Sequence, residues 1–331
     1  MSLKPKHKIS IAGLCLVIVI ILSLTIGNTL VSLPQLIQAL FHFDSTNDIH
    51  TLISETRASR TIIALLTGAA LAVAGLLMQV LTRNPIASPD ILGVNAGAVF
   101  WIILSLTVIQ IASFQILTTI AFLGALFVTV VVVALSMFRQ TKFSPNRVIL
   151  AGAAISALFS AFSQGLLIMN ESNIQSLLFW LGGSVSLRNI WDVPWAIPLI
   201  LVLIFIAFLM SAQINILMTS DEIASGLGQN IKQIKWVIIF IISALAGISV
   251  ALAGSIMFVG LIVPHISKKM IPPNYKYLIP FTAFIGAILM LISDILARLI
   301  IKPLELPIGV ITAVIGSVTL IAIIRKGLKR L

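Results

Sequence analysis

Charge is scarce in this sequence, and acidic charge scarcer still: 331 residues hold 21 lysines and arginines but only 10 aspartates and glutamates. A water-soluble domain of this length cannot cover itself with 9% charged residues, and the 59% hydrophobic content and mean hydropathy of +1.16 exclude that class. Cysteine is nearly absent. The single Cys15 rules out a disulfide framework and any CxxC metal or redox pair. There is no GxxxxGK[ST] loop to cradle nucleotide phosphates and no HExxH metal spacing. The four histidines, His7, His42, His50 and His265, fall in a tail, a loop and one apolar segment, so no catalytic constellation and no metal site is expected. His265, directly after Pro264, reads as a hydrogen-bonded structural residue.

What the chain has instead is long uncharged runs. From Thr61 to Thr82 there are 22 residues without charge, about 33 Å of helix against a hydrocarbon core of about 30 Å. Further spans are expected near 10–30, 91–110, 115–138, 148–169, 193–212, 236–253, 256–270, 279–299 and 306–324, ten in all. With a cytoplasmic N-terminus this arrangement leaves only Arg57, Arg60, Arg188, Arg298 and Lys302 outside, and every other basic residue inside. The net charge of +11 is thereby explained by positive-inside bias, and nucleic-acid binding is not expected. The lysines at 4, 6 and 8 precede the first span, which is too long and too poor in small residues for a removable signal peptide. The 32 uncharged residues from Trp236 to Ser267 could form one helix or two. Two are expected, because one would place Lys268 and Lys269 outside.

Within the spans the one acidic candidate for ion coupling is Asp294. Its i,i+4 spacing to Arg298 predicts a structural ion pair instead, so the driving energy is expected from another polypeptide. The loop 213–235 contains a short predicted helix in which Ser220 is the cap, Asp221 and Glu222 occupy the first turn, and Gly226 and Gly228 end it. Ala224, Ser225 and Gly226 give it a small-residue face. Such a helix is either a loop ornament or a handle for a partner. The elbow after the second span is built from Arg83, Asn84, Pro85, Pro89 and Asp90, with Asp90 expected to cap the third span. Gly152–Ser156 and Ser160–Gly165 are candidate pathway-lining or close-packing faces.

Several long motifs then occur in order: R-x-x-R before G-A-A-L-A-x-x-G (Arg57, Arg60, Gly68 to Leu71, Gly75), Q-x-x-x-R-N-P-I-A-x-P-x-x-L-G (Gln79 to Gly93) and F-W-L-G-G-S (Phe179 to Ser184). They are followed by A-G-S-I-x-F-V-G-L-I-V-P-H (Ala253 to His265), S-D-x-x-A-R (Ser293 to Arg298) and E-L-P-I-G-V-I-T-A-x-I-G (Glu305 to Gly316). Over almost its whole length the chain resembles the FecCD-type permeases, the membrane subunits of ABC importers for iron-siderophores, haem and vitamin B12.

The resemblance implies an all-α polytopic membrane protein of the vitamin B12/siderophore importer type, with about ten transmembrane helices in a single permease domain, 1–331. It implies a second permease subunit, identical or paralogous, two cytoplasmic ATPase subunits that hold ATP and magnesium, and an extracytoplasmic substrate-binding protein. No cofactor is expected in this chain and no enzymatic activity. The loop 213–235 becomes the cytoplasmic coupling element through Ser220, Asp221, Glu222, Ala224, Gly226 and Gly228. Arg57, Arg60 and Arg298 become docking residues for glutamates of the binding protein, since an arginine fork holds a carboxylate bidentately. A ferric siderophore is the expected cargo, with haem and cobalamin as alternatives and an ion-coupled secondary carrier as the reading from another class. A bacterial cytoplasmic membrane with both termini inside is the expected location. The chain departs from the family pattern at Ala58 and Ser59, where R-[LI]-P-R is usual. It also carries Lys268 and Lys269 where an arginine is common, and Gly316 to Thr319 where Gly-x-Pro-x-Phe is familiar.

Overall fold

The protein is seen in a computed structural model that describes residues 4–27, 29–111, 113–138, 144–169, 180–186, 188–219, 221–302 and 304–328. Ser220, Phe179, Arg139, Lys142, Lys329 and Arg330, invoked above, lie outside the described residues.

Helix α1 (Pro5–Thr25) begins with proline in its first turn, where the missing N–H is no loss. Helix α2 (Leu33–Phe41) starts on a capping box between Ser32 and Gln35. Helix α3 (Asp48–Thr82) is one continuous 35-residue run, α-helical at both ends and π-helical over Leu52–Arg57. The expected outer loop around Arg57 and Arg60 is therefore helix. Ala58 and Ser59 continue the helix, Ser59 standing where the resembled family usually has proline.

Helices α4 (Val94–Thr107), α5 (Phe114–Ser136) and α6 (Pro145–Met169) follow. Helices α7 (Ala196–Leu209) and α8 (Ser211–Leu217) meet at a 54° bend and are long and apolar enough to cross a membrane only if the pair is taken together. The short α9 (Asp221–Gly226) leads to α10 (Ile231–Ala253), α11 (Val259–Met270), α12 (Tyr275–Leu299) and α13 (Ile308–Leu328). Among the described residues, six helices are long and apolar enough to cross a membrane, and the bent pair makes a seventh. Helices α4, α11 and α13, the last with Ile308–Ala322 as its apolar described part, occupy the remaining three expected positions.

Two of those differ from expectation for a visible reason. The 256–270 span is a 12-residue helix, about 18 Å long, because the chain breaks at Gly254 (φ 77°) and Phe258 (φ 69°). The 91–110 span opens with a 3-10 turn, Pro89–Leu92, and becomes α-helical only from Val94. Irregular backbone at membrane depth survives only if protein buries and satisfies it. Here Ser255 N donates to Trp180 O (3.0 Å) and Ser184 N to Ala253 O (2.8 Å). A Cβ on Gly254 would sit 2.4 Å from Trp180 O, so glycine is required there twice over, for φ and for space.

Packing divides the helices into centre and rim. In the most apolar window, α3 is 89% and α10 83% buried inside the chain, whereas α1 is 11% and α6 17%. Lipid or other chains must cover the last two. Close approach in the centre depends on small residues: a Cβ on Gly75 would fall 1.8 Å from Gly260 O, so α3 and α11 touch backbone to backbone.

Candidate functional site

Chemistry-bearing side chains gather at the two ends of α3. At the first end, Arg60 Nε meets Asp294 Oδ1 at 2.7 Å and its Nη1 meets Glu305 Oε2 at 2.7 Å. Arg298 Nη2 takes the other Asp294 oxygen at 2.7 Å, the i,i+4 pair expected from sequence. Ser186 Oγ donates to Glu305 Oε2 (2.7 Å), so α3, α12, the start of the last span and the 184–190 segment are tied at one point. Arg298 Nη1 also donates to the carbonyls of Ser23 (3.0 Å) and Ile26 (2.9 Å), which fastens α1. Arg57 spends its donors on Leu24 O (2.8 Å), Thr25 O (3.0 Å) and the Thr29 hydroxyl (2.9 Å).

The three arginines expected to dock a partner are thus brought together, but all are buried and bonded inside the chain. Three guanidinium groups face two carboxylates, which leaves one positive charge in excess. Burial alone would raise the Glu305 carboxyl, but the Arg60 guanidinium and its hydrogen bonds outweigh burial and hold it below its ordinary range.

Sequence reasoning paired Asp294 with Arg298 alone and gave no role to Glu305, Ser186 or the Arg60 link. Arg60 and Glu305 are 245 positions apart. The only signal was that Glu305 opens one of the motifs. Directly beneath, three motifs converge: Gly183 (φ 68°) and Gly309 pack against Ser255 O, and Gly309 N donates to Gly183 O (3.3 Å).

At the other end of α3 the chain reverses through Arg83, itself left-handed (φ 51°). Arg83 Nη2 bonds Asp221 Oδ1 at 2.8 Å and Leu217 O at 3.2 Å, and Lys235 Nζ takes Asp221 Oδ2 at 2.7 Å. The elbow and the short helix α9, separate in the sequence reading, are joined here through Asp221. Asn84 shapes the turn by accepting from Ile86 N (3.1 Å) with its side chain, and Pro89 packs against Gly260. Pro85 is exposed. Asp90 does not cap the third span. The N-cap of α4 is Gly93 (φ 71°), a residue with no side chain to cap with, and the Asp90 carboxylate accepts from the Ser88 hydroxyl (3.2 Å) instead.

In α9, Glu222, Ser225 and Gly226 are exposed, and Gly226 and Gly228 have open space where a Cβ would stand. Gly228 (φ 80°) ends the helix as expected. Ala224 is fully buried in the chain, so the small-residue face is split: Ala224 anchors α9 inward and the others face out. Ile223 and Leu227, not singled out from sequence, add exposed apolar surface at 54% and 65%. Lys268 Nζ donates to Gln79 Oε1 (2.8 Å), a use that needs charge and reach but not an arginine fork. On α6, Gly152 is pressed to Ile91 O whereas Gly165 meets nothing, so Gly152 serves packing and Gly165 is open.

A family model described as the FecCD transport family matches residues 15–326. A Bacillus subtilis protein described as a probable siderophore transport system permease, YfiZ, is 41% identical over 93% of this chain and 92% of its own length. The Fe(3+)-citrate import system permease protein YfmD of the same organism is 39% identical over 92% and 90%. A solved structure of a metal-chelate type ABC transporter, in an inward-facing conformation, superposes with a TM-score of 0.86 at 31% identity, covering 96% of this chain and 98% of that one.

Proposed function

The chain belongs to the FecCD transport family, and from that premise we propose that it is the membrane-spanning permease of an ABC importer for ferric siderophores. It is a transport subunit and not an enzyme. The observation that carries the cargo assignment is similarity over nine-tenths of both chains to permeases named for siderophore and Fe(3+)-citrate import. In this reading the Arg57 end of α3 faces outward and the elbow inward, with both termini in the bacterial cytoplasm, as positive-inside bias favours.

A second permease, identical or paralogous, covers the poorly buried α6, whose outward Ser160, Gln164 and Gly165 suit a shared pathway. Two ATPase subunits, holding ATP and magnesium, engage the loop 213–235 through exposed Glu222, Ser225 and Gly226, with Ile223 and Leu227 as apolar contacts. Asp221 transmits their movement to the elbow through Arg83. A substrate-binding protein docks on the outer side, guided by the local arginine excess at Arg57, Arg60 and Arg298. Alternating access follows: ATP-driven closure moves α9, and the elbow carries the motion to α3 and α11.

The burial of Asp294 between two arginines argues against an ion-coupled carrier, since its two oxygens are already taken by Arg60 and Arg298. Purification from native membranes tests the reading. The complex should contain an ATPase subunit whose hydrolysis rises with the binding protein and a ferric siderophore, more than with haem or cobalamin. A chain that purifies alone and transports on an ion gradient would overturn it.

A further inference from the structure

Arg188 differs from Arg60 and Arg298 in having no carboxylate partner among the described residues. Its Nη1 donates to the carbonyl of Leu252, and its guanidinium carbon stands 3.8 Å from the centre of the Trp180 ring and 5.9 Å from that of Phe114. Among the described residues no aspartate or glutamate forms an ion pair with it. An arginine has five N–H donors in one plane. Stacking on tryptophan covers the face of that plane and leaves its edge available.

The position of the group is fixed by neighbours. Ser59 Oγ donates to Arg188 O (3.0 Å) and accepts from Ile190 N (2.7 Å), which pins the backbone to the head of α3. From there the side chain reaches to the break after α10, where Ser255 already meets Asn95 at the start of α4 (2.6 Å). Beside it opens a cavity of about 190 Å³ lined by Glu55, Thr56, Arg60, Val185, Arg188 and Asn189. Glu55, at the rim, is exposed and pairs with neither arginine. The volume admits a carboxylate arm and not a whole ferric chelate. A half-buried cation with no counter-charge among the described residues is costly.

We propose that Arg188, braced on Trp180, binds a carboxylate arm of an anionic ferric chelate at the outer mouth of the transport path, and so selects cargo by charge. The assignment rests on the importer reading above. The arm supplies the missing counter-charge and takes the free edge of the guanidinium through charge-assisted hydrogen bonds. A neutral chelate gains nothing from this contact. The docked binding protein is the other source of a carboxylate. The recessed position of the guanidinium, drawn back onto Leu252, favours a small flexible arm over a protein surface.

The test uses the complete complex of permease, ATPase and binding protein in proteoliposomes, with ferric citrate as the anionic probe and a neutral ferric trihydroxamate as its counterpart. Arg188→Gln should lower ferric citrate uptake about tenfold while holding trihydroxamate uptake and docking-stimulated ATP hydrolysis within about twofold, and Arg188→Lys should recover part of the loss. Equal loss on both chelates makes Arg188 structural, and a loss of ATPase stimulation that tracks the loss of uptake makes it a docking residue. Either result overturns the proposal, as does unchanged citrate uptake or a wild-type complex that carries the neutral chelate alone. A wild-type complex that moves neither probe removes the importer reading itself, and the assignment with it.

Discussion

At one end of α3, Arg60, Asp294, Arg298 and Glu305 hold one another with side chains 8%, 0%, 4% and 25% exposed; at the other, Arg83 and Asp221 pair with 47% and 46% exposed. The bond lengths are the same, 2.7 to 2.8 Å. What differs is water. In a low-dielectric site each charge depends on its partner, and removing one leaves the other stranded. In contact with solvent, water replaces a lost partner at small cost. The first cluster is therefore a fixed clamp across α1, α3, α12 and the start of the last span, and the second a linkage that can part and re-form. On the importer reading proposed above, energy arrives at the Asp221 end, and the yielding joint stands there.

Breaking the clamp at its centre gives the largest expected effect. Asp294→Asn keeps the shape and removes the charge that serves both Arg60 and Arg298. It should destabilise the permease by about 3–5 kcal/mol, read as a large fall in the thermal unfolding midpoint of the purified chain in detergent. A loss no greater than that of an exposed pair would mean that water reaches the cluster and would erase the contrast between the two ends.

Glu305 sits at the edge of the clamp and should matter less, by about 1.5–3 kcal/mol for the loss of one charge-assisted bond in Glu305→Gln. Its pH dependence has a definite sign. The folded pKa lies below the ordinary value of 4.5, so its stabilisation is complete above about pH 4.5 and fades as the pH falls through the folded value. Wild type should lose stability in that acid window, and Glu305→Gln should show a shallower slope there. Identical acid limbs in the two proteins would show that the Arg60 pairing does not hold the carboxyl down.

The two ends were also unequally legible in the sequence. Span positions followed from uncharged runs, and the Asp294–Arg298 pair from helical spacing, because both are local patterns. Arg60 with Glu305 and Arg83 with Asp221 join residues 245 and 138 positions apart, and no periodicity reports such contacts. The break after Ala253 is signalled by Gly247, Gly254, Gly260 and Pro264, which suggest a turn, and by loop-charge bias, which decides for two helices. Its location depends on how Gly254 fits against Trp180, which is a tertiary fact. Ala224 was misplaced on the outer face of α9 because a six-residue helix carries too few positions to phase its buried side.

At the inner end, stability and function should separate. Gly226→Leu meets open space in the isolated chain, and Glu222→Lys changes an exposed charge. Either should leave the unfolding midpoint within about 0.5 kcal/mol of wild type. The assembled complex should nonetheless lose ligand-stimulated ATP hydrolysis. Normal stimulation in both variants would remove α9 from the interface and reduce it to a connection between spans.

The pairing at Asp221 is the most telling about the joint itself. Asp221→Asn removes the carboxylate shared by the exposed Arg83 and by Lys235, whose side chain is 14% exposed, and should cost the permease about 1 kcal/mol, of which the Arg83 share shrinks as salt screens the wild-type pair. If Asp221 serves only local packing, transport should fall no more than stability does. If it passes movement from α9 to the elbow, transport should fall well beyond what the stability change explains while ATPase binding persists. High salt should then push wild type toward the variant. A wild-type transport rate that ignores salt, with the variant unimpaired, would place the route of coupling elsewhere, through the buried Ala224 contact.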